Sequence, residues 1–546
     1  MNPLSTKLYR FVPWLEIVLI VVSASLPLFI TFPYRVNIFL SWEGAYRISQ
    51  GQVPYKDFGL PLGYGFWIIP ALFFKIFGPY MITLVKAQVF INILSGLSFR
   101  SILKSLQVQP FIRLLAIIVF IISFSFFNFW PWYNHTVIVY QLTGLAFLFR
   151  YLIPKESKSS AFWLILSALF LFLSFFTKQD GGGLGLLICL ALLLYQCILN
   201  KKYKAILIFT GSYIAIGALF IVPASAYNFG YWFNHGQPPH TSRLSVADFL
   251  AKLLGGSQWI KFYALLMVIL LLPLFKNFKE ALQNQRLVLF ALLTFGILAE
   301  AAVFQFTSYT PPDNNIFYHS FAFAFIVTLL SELNIFAAYN FKHVTILAVL
   351  VALWWSEMFW KYIDRKVQLM VGNELTVSPT GENIVNEKTY IINTDTSRVN
   401  IPQAQWVQTD IPVFKKLTMP ASAAEGLKRT INNPRITSKV ANNRILNMTE
   451  FTPLGYIMGF QYERGSHYPL WNHLGVGMFN KQKDMFCQRI SQKYYDVVLY
   501  EYIPVLNNFY PFEIRDSLKK NYELIDSFLA PRSPTYGYIE VYAKPQ

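Results

Sequence analysis

Apolar stretches of about 20 residues recur through the first two thirds of this chain, and each is long enough to cross a bilayer's hydrocarbon core. In lipid the backbone must satisfy its own hydrogen bonds, so runs of this kind fold as helices. They fall at roughly 11–32, 79–103, 110–128, 135–153, 160–177, 182–199, 204–226, 258–275, 286–306, 317–338 and 342–361 by that length criterion. Only 14% of the 546 residues are charged, against about 25% in soluble proteins. The sequence predicts an all-α polytopic membrane protein of about eleven transmembrane helices, lying in the bilayer of a cell's inner (plasma) membrane.

Lys7 and Arg10 precede the first run, which is longer than a signal-peptide core and has no small-x-small cleavage site, so it reads as a retained anchor. Basic residues cluster in alternate loops: Arg100, Lys104 and Arg113; Lys155 and Lys158; Lys201, Lys202 and Lys204; Lys276, Lys279 and Arg286; Lys342. The pattern puts these loops and the N-terminus inside, provided the apolar stretch 61–77 does not cross. The formal charge of +18 follows from this loop bias, and no nucleic-acid partner is expected. Three cysteines, Cys189, Cys197 and Cys487, make no disulfide framework.

The loop from Pro33 to Gly78 is too polar to span, yet it holds Glu43 and Asp57 among Arg47, Lys56 and several tyrosines. Its second half is interrupted by Pro61, Gly63, Gly65 and Pro70, which suits a helix at the interface or dipping partway in. Gly44, Gly51 and Gly59 read as turn positions, with Glu43 at the start of a short helix. A carboxylate held among aromatics at a membrane surface can act as general base towards a hydroxyl or amine.

An acid followed by Gly and Tyr, a short helix, G-x-x-P-Y-x-D-F and a Pro-rich segment ending in F-G resembles the first outer loop of the C-fold (GT-C) glycosyltransferases. The similarity is to the branch of protein O-mannosyltransferases and lipid A aminoarabinose transferases. That resemblance implies a polyprenyl-phosphate sugar as donor, an acceptor activated by the loop acid, and inverting transfer. It is sharp over about residues 41–80, with weaker echoes at 174–186 and 307–320. The family usually has Asp-Glu before the glycine, with the first acid as base; this chain has Trp42-Glu43. Either Glu43 or Asp57 then serves, or the protein has lost transfer activity.

Lys178, Gln179 and Asp180 sit where one run ends and three glycines open the next, so helix amides there can face an anion. With the resemblance, Lys178, His319 and Arg47 are expected on the donor phosphate. Tyr46, Tyr55, Gln179, Asp180, Tyr133, His135 and Asp313 are expected beside the substrates. No HExxH, cysteine cluster or D-x-D in an outer loop demands a metal, and none is expected as a resident cofactor, although Asp57, Asp180 and His319 are available to a divalent ion.

Beyond residue 362 the pattern changes to strand-like runs (KTYIIN, DVVLYEYI, YGYIEVYA) and helix-like runs (ASAAEGLKRTI, FEIRDSLKKNYELI). A C-terminal extracytoplasmic α/β domain at 363–546 beside a transmembrane GT-C-like catalytic domain at 1–362 is the expectation. The function so read is transfer of a sugar from a polyprenyl-phosphate donor to a glycan, lipid or protein acceptor on the outer side. Two rivals stand beside it: a non-catalytic partner of such a transferase, and a polytopic transporter, for which two related halves with broken helices would be needed.

Overall fold

The computed structural model describes residues 3–35, 38–123, 128–153, 160–201, 203–227, 258–275, 278–308, 317–336, 340–354, 399–437, 444–466, 468–470, 472, 478–504, 510–533 and 535–546. A helix occupies each of the eleven apolar stretches. These are α1 (Pro3–Ser25), α4 (Met81–Ser105), α5 (Pro110–Ser123), α6 (Tyr133–Leu152), α7 (Ala161–Thr177), α8 (Gln179–Asn200), α9 (Lys204–Ala224), α10 (Gln258–Leu271), α12 (Gln285–Ser308), α13 (Tyr318–Glu332) and α14 (Phe341–Trp354). Among the described residues, five helical stretches are long and apolar enough to cross a membrane: Phe11–Phe29, Met81–Ser105, Gln179–Asn200, Lys204–Ala224 and Gln285–Val303. α9 leaves Leu207, Ile214, Leu219 and Val222 exposed, an apolar surface that suits lipid rather than water. A short helix, α11 (Phe278–Gln283), precedes α12.

The loop after α1 supplies α2 (Ile38–Ser49) and α3 (Gly65–Phe77). At 13 residues α3 rises about 20 Å, short of the roughly 30 Å a crossing needs. The short helix expected to begin at Glu43 begins five residues earlier, because Ile38, Phe39 and Leu40 are all buried and extend it. Gly44, expected at a turn, lies inside α2. A Cβ there would fall 2.0 Å from the Trp67 ring, so its role is to let α3 close on α2. Gly51 does turn the chain, at φ +81°.

Three ion pairs join helices at the end of the bundle away from this loop. Glu16 on α1 accepts 2.7 Å bonds from Arg100 Nε on α4 and Arg113 Nε on α5, one on each oxygen. Arg286 on α12 pairs with Glu332 on α13. Three of the arginines read as inside-loop charge are therefore partnered by span carboxylates.

The C-terminal region carries two small sheets. Strands β1 (Phe32–Pro33), β2 (Val407–Gln408) and β3 (Leu417–Met419) form one, in the order β1-β3-β2, with β1 parallel to β3. The loop following α1 thus enters the C-terminal sheet directly. The other has the order β4-β5-β7-β6, from β4 (Ile445–Met448), β5 (Val497–Tyr502), β6 (Glu523–Leu529) and β7 (Tyr538–Ala543). Around them lie α15 (Ala421–Asn432), α16 (Pro434–Thr437), α17 (Leu454–Met458), α18 (Phe479–Ser491) and α19 (Phe512–Asn521). The run FEIRDSLKKNYELI divides: its helix ends at Asn521 and Glu523 begins β6, which pairs antiparallel with β7. KTYIIN lies outside the described residues.

One hydrophobic core holds residues of both the first loop and the C-terminal region. Trp42, Phe58, Phe66, Trp67 and Phe74 share it with Phe414, Phe451, Tyr462, Tyr468 and Tyr500. The helical bundle keeps a separate core, centred where α6 packs on α4, α7 and α8.

Candidate functional site

Glu43 and Arg47 stand four residues apart on α2, the spacing that brings side chains together on one helix face. Arg47 Nε donates to Glu43 Oε1 at 2.8 Å, and Nη2 lies 2.7 Å from the same oxygen. Glu43 is 5% exposed and Arg47 0%. Glu43 Oε2 has no hydrogen-bond partner among the described residues. Burial pushes the Glu43 carboxyl above the usual glutamate range, and Arg47, pulling it down, offsets only part of that rise. A carboxylate that is one-sidedly paired and more basic than usual is suited to taking a proton.

Arg47 is enclosed on every side. Its Nη1 donates to Gln52 Oε1 and to the Glu463 carbonyl, both at 2.9 Å. The rings of Phe58, Tyr462 and Tyr468 face the guanidinium with centroids at 5.4, 5.0 and 4.9 Å. Its hydrogen bonds run to Glu43, Gln52 and the Glu463 carbonyl, so the guanidinium is held against one oxygen of Glu43.

Trp42, the residue before Glu43, is fully buried. Its indole N–H donates 3.0 Å to the Pro79 carbonyl, and its ring stacks on Tyr46 at 4.8 Å. Tyr46 in turn meets Tyr456 and Tyr462. Tyr55 takes φ +67° and donates its hydroxyl to the Leu62 carbonyl at 2.8 Å. Asp57 Oδ2 accepts the Val53 N–H at 2.8 Å, and its carbonyl accepts from Gly465 N–H at the same distance. Asp57 thereby braces the turn that carries Tyr55.

The far end of this loop rests on α7. A Cβ on Gly63 would come within 1.2 Å of the Phe176 carbonyl oxygen, a position only glycine fills. One residue past α7, Lys178 has an extended backbone and places Nζ 2.9 Å from Asp180 Oδ2. Asp180 Oδ1 accepts the Gly181 N–H at 2.8 Å, so an acid already sits at the start of α8. Gln179 is the first residue of that helix.

His319 lies in the first turn of α13, with Nδ1 2.7 Å from the Tyr263 hydroxyl on α10. His319 is thus tied to Tyr263 and Tyr318 rather than to Glu43 or Lys178. His135, near the start of α6, is buried with Nδ1 3.4 Å from Gln88 Nε2. Tyr133 packs edge-on against Phe66 of α3. Asp313 lies outside the described residues. Among the described residues no three His, Cys, Asp or Glu side chains gather as a metal site.

The structure adds residues that sequence reasoning passed over: Gln52, Glu463, Tyr462 and Tyr468 around Arg47, and Gln141, whose Nε2 donates 2.5 Å to Glu300 Oε2 between α6 and α12. Glu300 as a charge inside an apolar run was the one available signal for the latter pair. No local pattern marked the former: Gln52 lies five residues from Arg47, and Tyr462, Glu463 and Tyr468 lie about four hundred.

No family model matches the chain, and no curated protein matches it. Among solved structures it is similar to ArnT from Cupriavidus metallidurans, crystallised bound to undecaprenyl phosphate. That alignment covers 97% of this chain and 99% of that one, at 11% identity and a TM-score of 0.46. A likeness of this size assigns neither a family nor an activity.

Proposed function

We propose that the chain is an integral-membrane glycosyltransferase that moves one sugar from a polyprenyl-phosphate donor to an acceptor on the extracytoplasmic side, with inversion. The observation that carries it is the Glu43–Arg47 pair, a carboxylate buried in an aromatic loop, held by one oxygen and raised in basicity. In this reading Glu43 Oε2 takes the proton of an acceptor hydroxyl or amine. The acceptor atom bonds to the anomeric carbon, the bond from that carbon to the phosphate oxygen breaks on the opposite face, and polyprenyl phosphate leaves. Lys178 offsets the charge growing on that phosphate. The side assignment rests on Arg100, Lys104 and Arg113, at the bundle end away from the loop; a reporter fused after residue 361 should read outside.

The test combines undecaprenyl phosphate binding by the purified full-length protein with transfer from a panel of radiolabelled undecaprenyl-phosphate hexoses and pentoses. Turnover that depends on Glu43 supports the reading, and turnover unaffected by Glu43→Gln removes it. A second reading, a non-catalytic partner of such a transferase, is favoured by Trp42, whose buried indole fills the place of the usual acid. Binding of the lipid phosphate without transfer from any donor would select it.

A further inference from the structure

The contacts around Arg47 bring two distant parts of the chain into one constellation. From α2 come Glu43 and Arg47, and from the turn after it Gln52 and Phe58. From the C-terminal region come the Glu463 carbonyl and the rings of Tyr462 and Tyr468. The C-terminal strip is laced to the loop by its backbone: Gly59 N–H donates to the Tyr468 carbonyl and Leu470 N–H to the Gly59 carbonyl, each at 2.9 Å. Gly465 N–H donates to the Asp57 carbonyl at 2.8 Å. Arg489 pairs with the Glu463 carboxylate and fixes that residue from α18. Tyr462 donates its hydroxyl to the Thr452 carbonyl, and its ring fills the space a Cβ on Gly455 would enter at 2.4 Å.

This is more than packing demands. A guanidinium stripped of water needs its donors satisfied and its charge faced. Aromatic faces attract a desolvated cation more strongly than an exposed one, and the planar fork fixes direction. The C-terminal strip provides two of the three faces and one of the carbonyl acceptors. Without it Arg47 would be free to turn towards water and leave Glu43.

We propose that Tyr468 is a positioning residue for the Glu43 site, and that the C-terminal region is a working part of that site because it holds Arg47 against one oxygen of Glu43 and leaves the other towards the acceptor. The proposal rests on the reading of Glu43 as the base. The ionisable groups facing Glu43 are Arg47 on its own helix, Tyr462 and Tyr468 from the strip, and Tyr510 from the segment before α19.

The experiment uses the full-length protein in lipid nanodiscs and needs no knowledge of the sugar. A hydrophobic carbodiimide modifies protonated buried carboxyls, so the labelling of Glu43, followed by peptide mass spectrometry against pH, reports its proton. Tyr468→Ala should release Arg47 and raise labelling at pH 7 about tenfold, one pH unit in the midpoint. Tyr468→Phe, which keeps the ring, should stay within about threefold of the wild type. A wild-type midpoint in Tyr468→Ala overturns the proposal. So does a lower midpoint, which would mean that the ring only excludes water. In parallel, Tyr468→Ala should lower kcat for transfer more than tenfold while undecaprenyl phosphate binds as in the wild type. If Glu43→Gln keeps its turnover, the base reading fails, and the labelling result still decides whether the strip holds Arg47.

Discussion

Arg47 grips Glu43 by a single carboxylate oxygen, with Nε at 2.8 Å and Nη2 at 2.7 Å from Oε1. The arrangement separates the two acids of the loop by role, since Asp57 spends one oxygen on the Val53 N–H and its carbonyl on Gly465. A general base contributes about 10²–10⁴-fold to rate. Glu43→Gln should therefore lose at least a hundredfold in kcat. Asp57→Asn, which weakens a turn, should cost about 1 kcal/mol of stability and less than tenfold in turnover. Transfer assays set beside melting curves for both variants check this, and equal losses in the two would sink the division of labour.

Lys178 gives a second contrast between binding and folding. Its ammonium is mostly buried at the junction of α7 and α8, 2.9 Å from Asp180. Loss of one charge-assisted contact to a phosphate corresponds to about tenfold in affinity, or roughly 1.4 kcal/mol. Lys178→Ala is expected to raise the KM for the polyprenyl-phosphate donor by about that factor, and to lower kcat as well because the leaving phosphate loses its counter-charge. Titration of undecaprenyl phosphate against the variant reports the same loss directly. Unaltered donor affinity would take Lys178 out of the site.

The ion triad at the other end of the bundle should behave as pure scaffold. Glu16 is fully buried and binds Arg100 and Arg113 with separate oxygens. Removing one partner of a buried pair leaves an uncompensated charge and costs about 3–5 kcal/mol. Glu16→Gln should melt well below the wild type, by static light scattering in detergent, and what remains folded should bind undecaprenyl phosphate normally. A melting point within a degree of the wild type would show that the arginines reach water instead.

The sequence made the helices legible because a bilayer leaves the chain little freedom: a long apolar run must satisfy its backbone internally, and each such run became a helix. The Lys178 junction was legible for the same reason, since a charge and three glycines interrupt that pattern. The pairing of the charges was not legible: Glu16 meets Arg100 and Arg113 across three helices, and a contact of that kind leaves no mark on local spacing. The start of α2 was misplaced because Glu43 was taken as a helix-capping acid, whereas the apolar residues before it carry the helix further. Tyr468 and Glu463 could not be found at all. Their contact with Arg47 spans 416 positions in the case of Glu463, and only the folded chain brings them there.

Glu450 lies just after β4. Arg532 reaches two glutamates at once, donating 2.7 Å from Nη2 to Glu450 Oε1 and 2.8 Å from Nε to Glu501 Oε1. Glu450 is 1% exposed, and its Oε2 has no partner among the described residues. Burial pushes the Glu450 carboxyl up to about 8; Arg532 pulls it down and Glu501 pushes it up further. One arginine faces two buried carboxylates, so Glu450 is expected to keep its proton at neutral pH. The sign of the consequence follows from the raised value. Below about pH 4.5 the folded and unfolded states both hold this proton, and the contribution to stability is fully present. Between about 4.5 and 8 the unfolded chain releases it while the fold retains it, so stability falls as pH rises. Above about 8 both states have released it and the loss is complete. The total is on the order of a few kcal/mol, at about 1.4 kcal/mol for each pH unit of difference. Glu450→Gln keeps the shape and carries no titrating proton, so its advantage over the wild type should grow steadily from pH 5 to pH 8 and then level off. Thermal melts of the two proteins at pH 5, 6, 7, 8 and 9 measure that difference. A gap that stays constant with pH would mean that Glu450 is ionised throughout, with Arg532 able to hold both carboxylates.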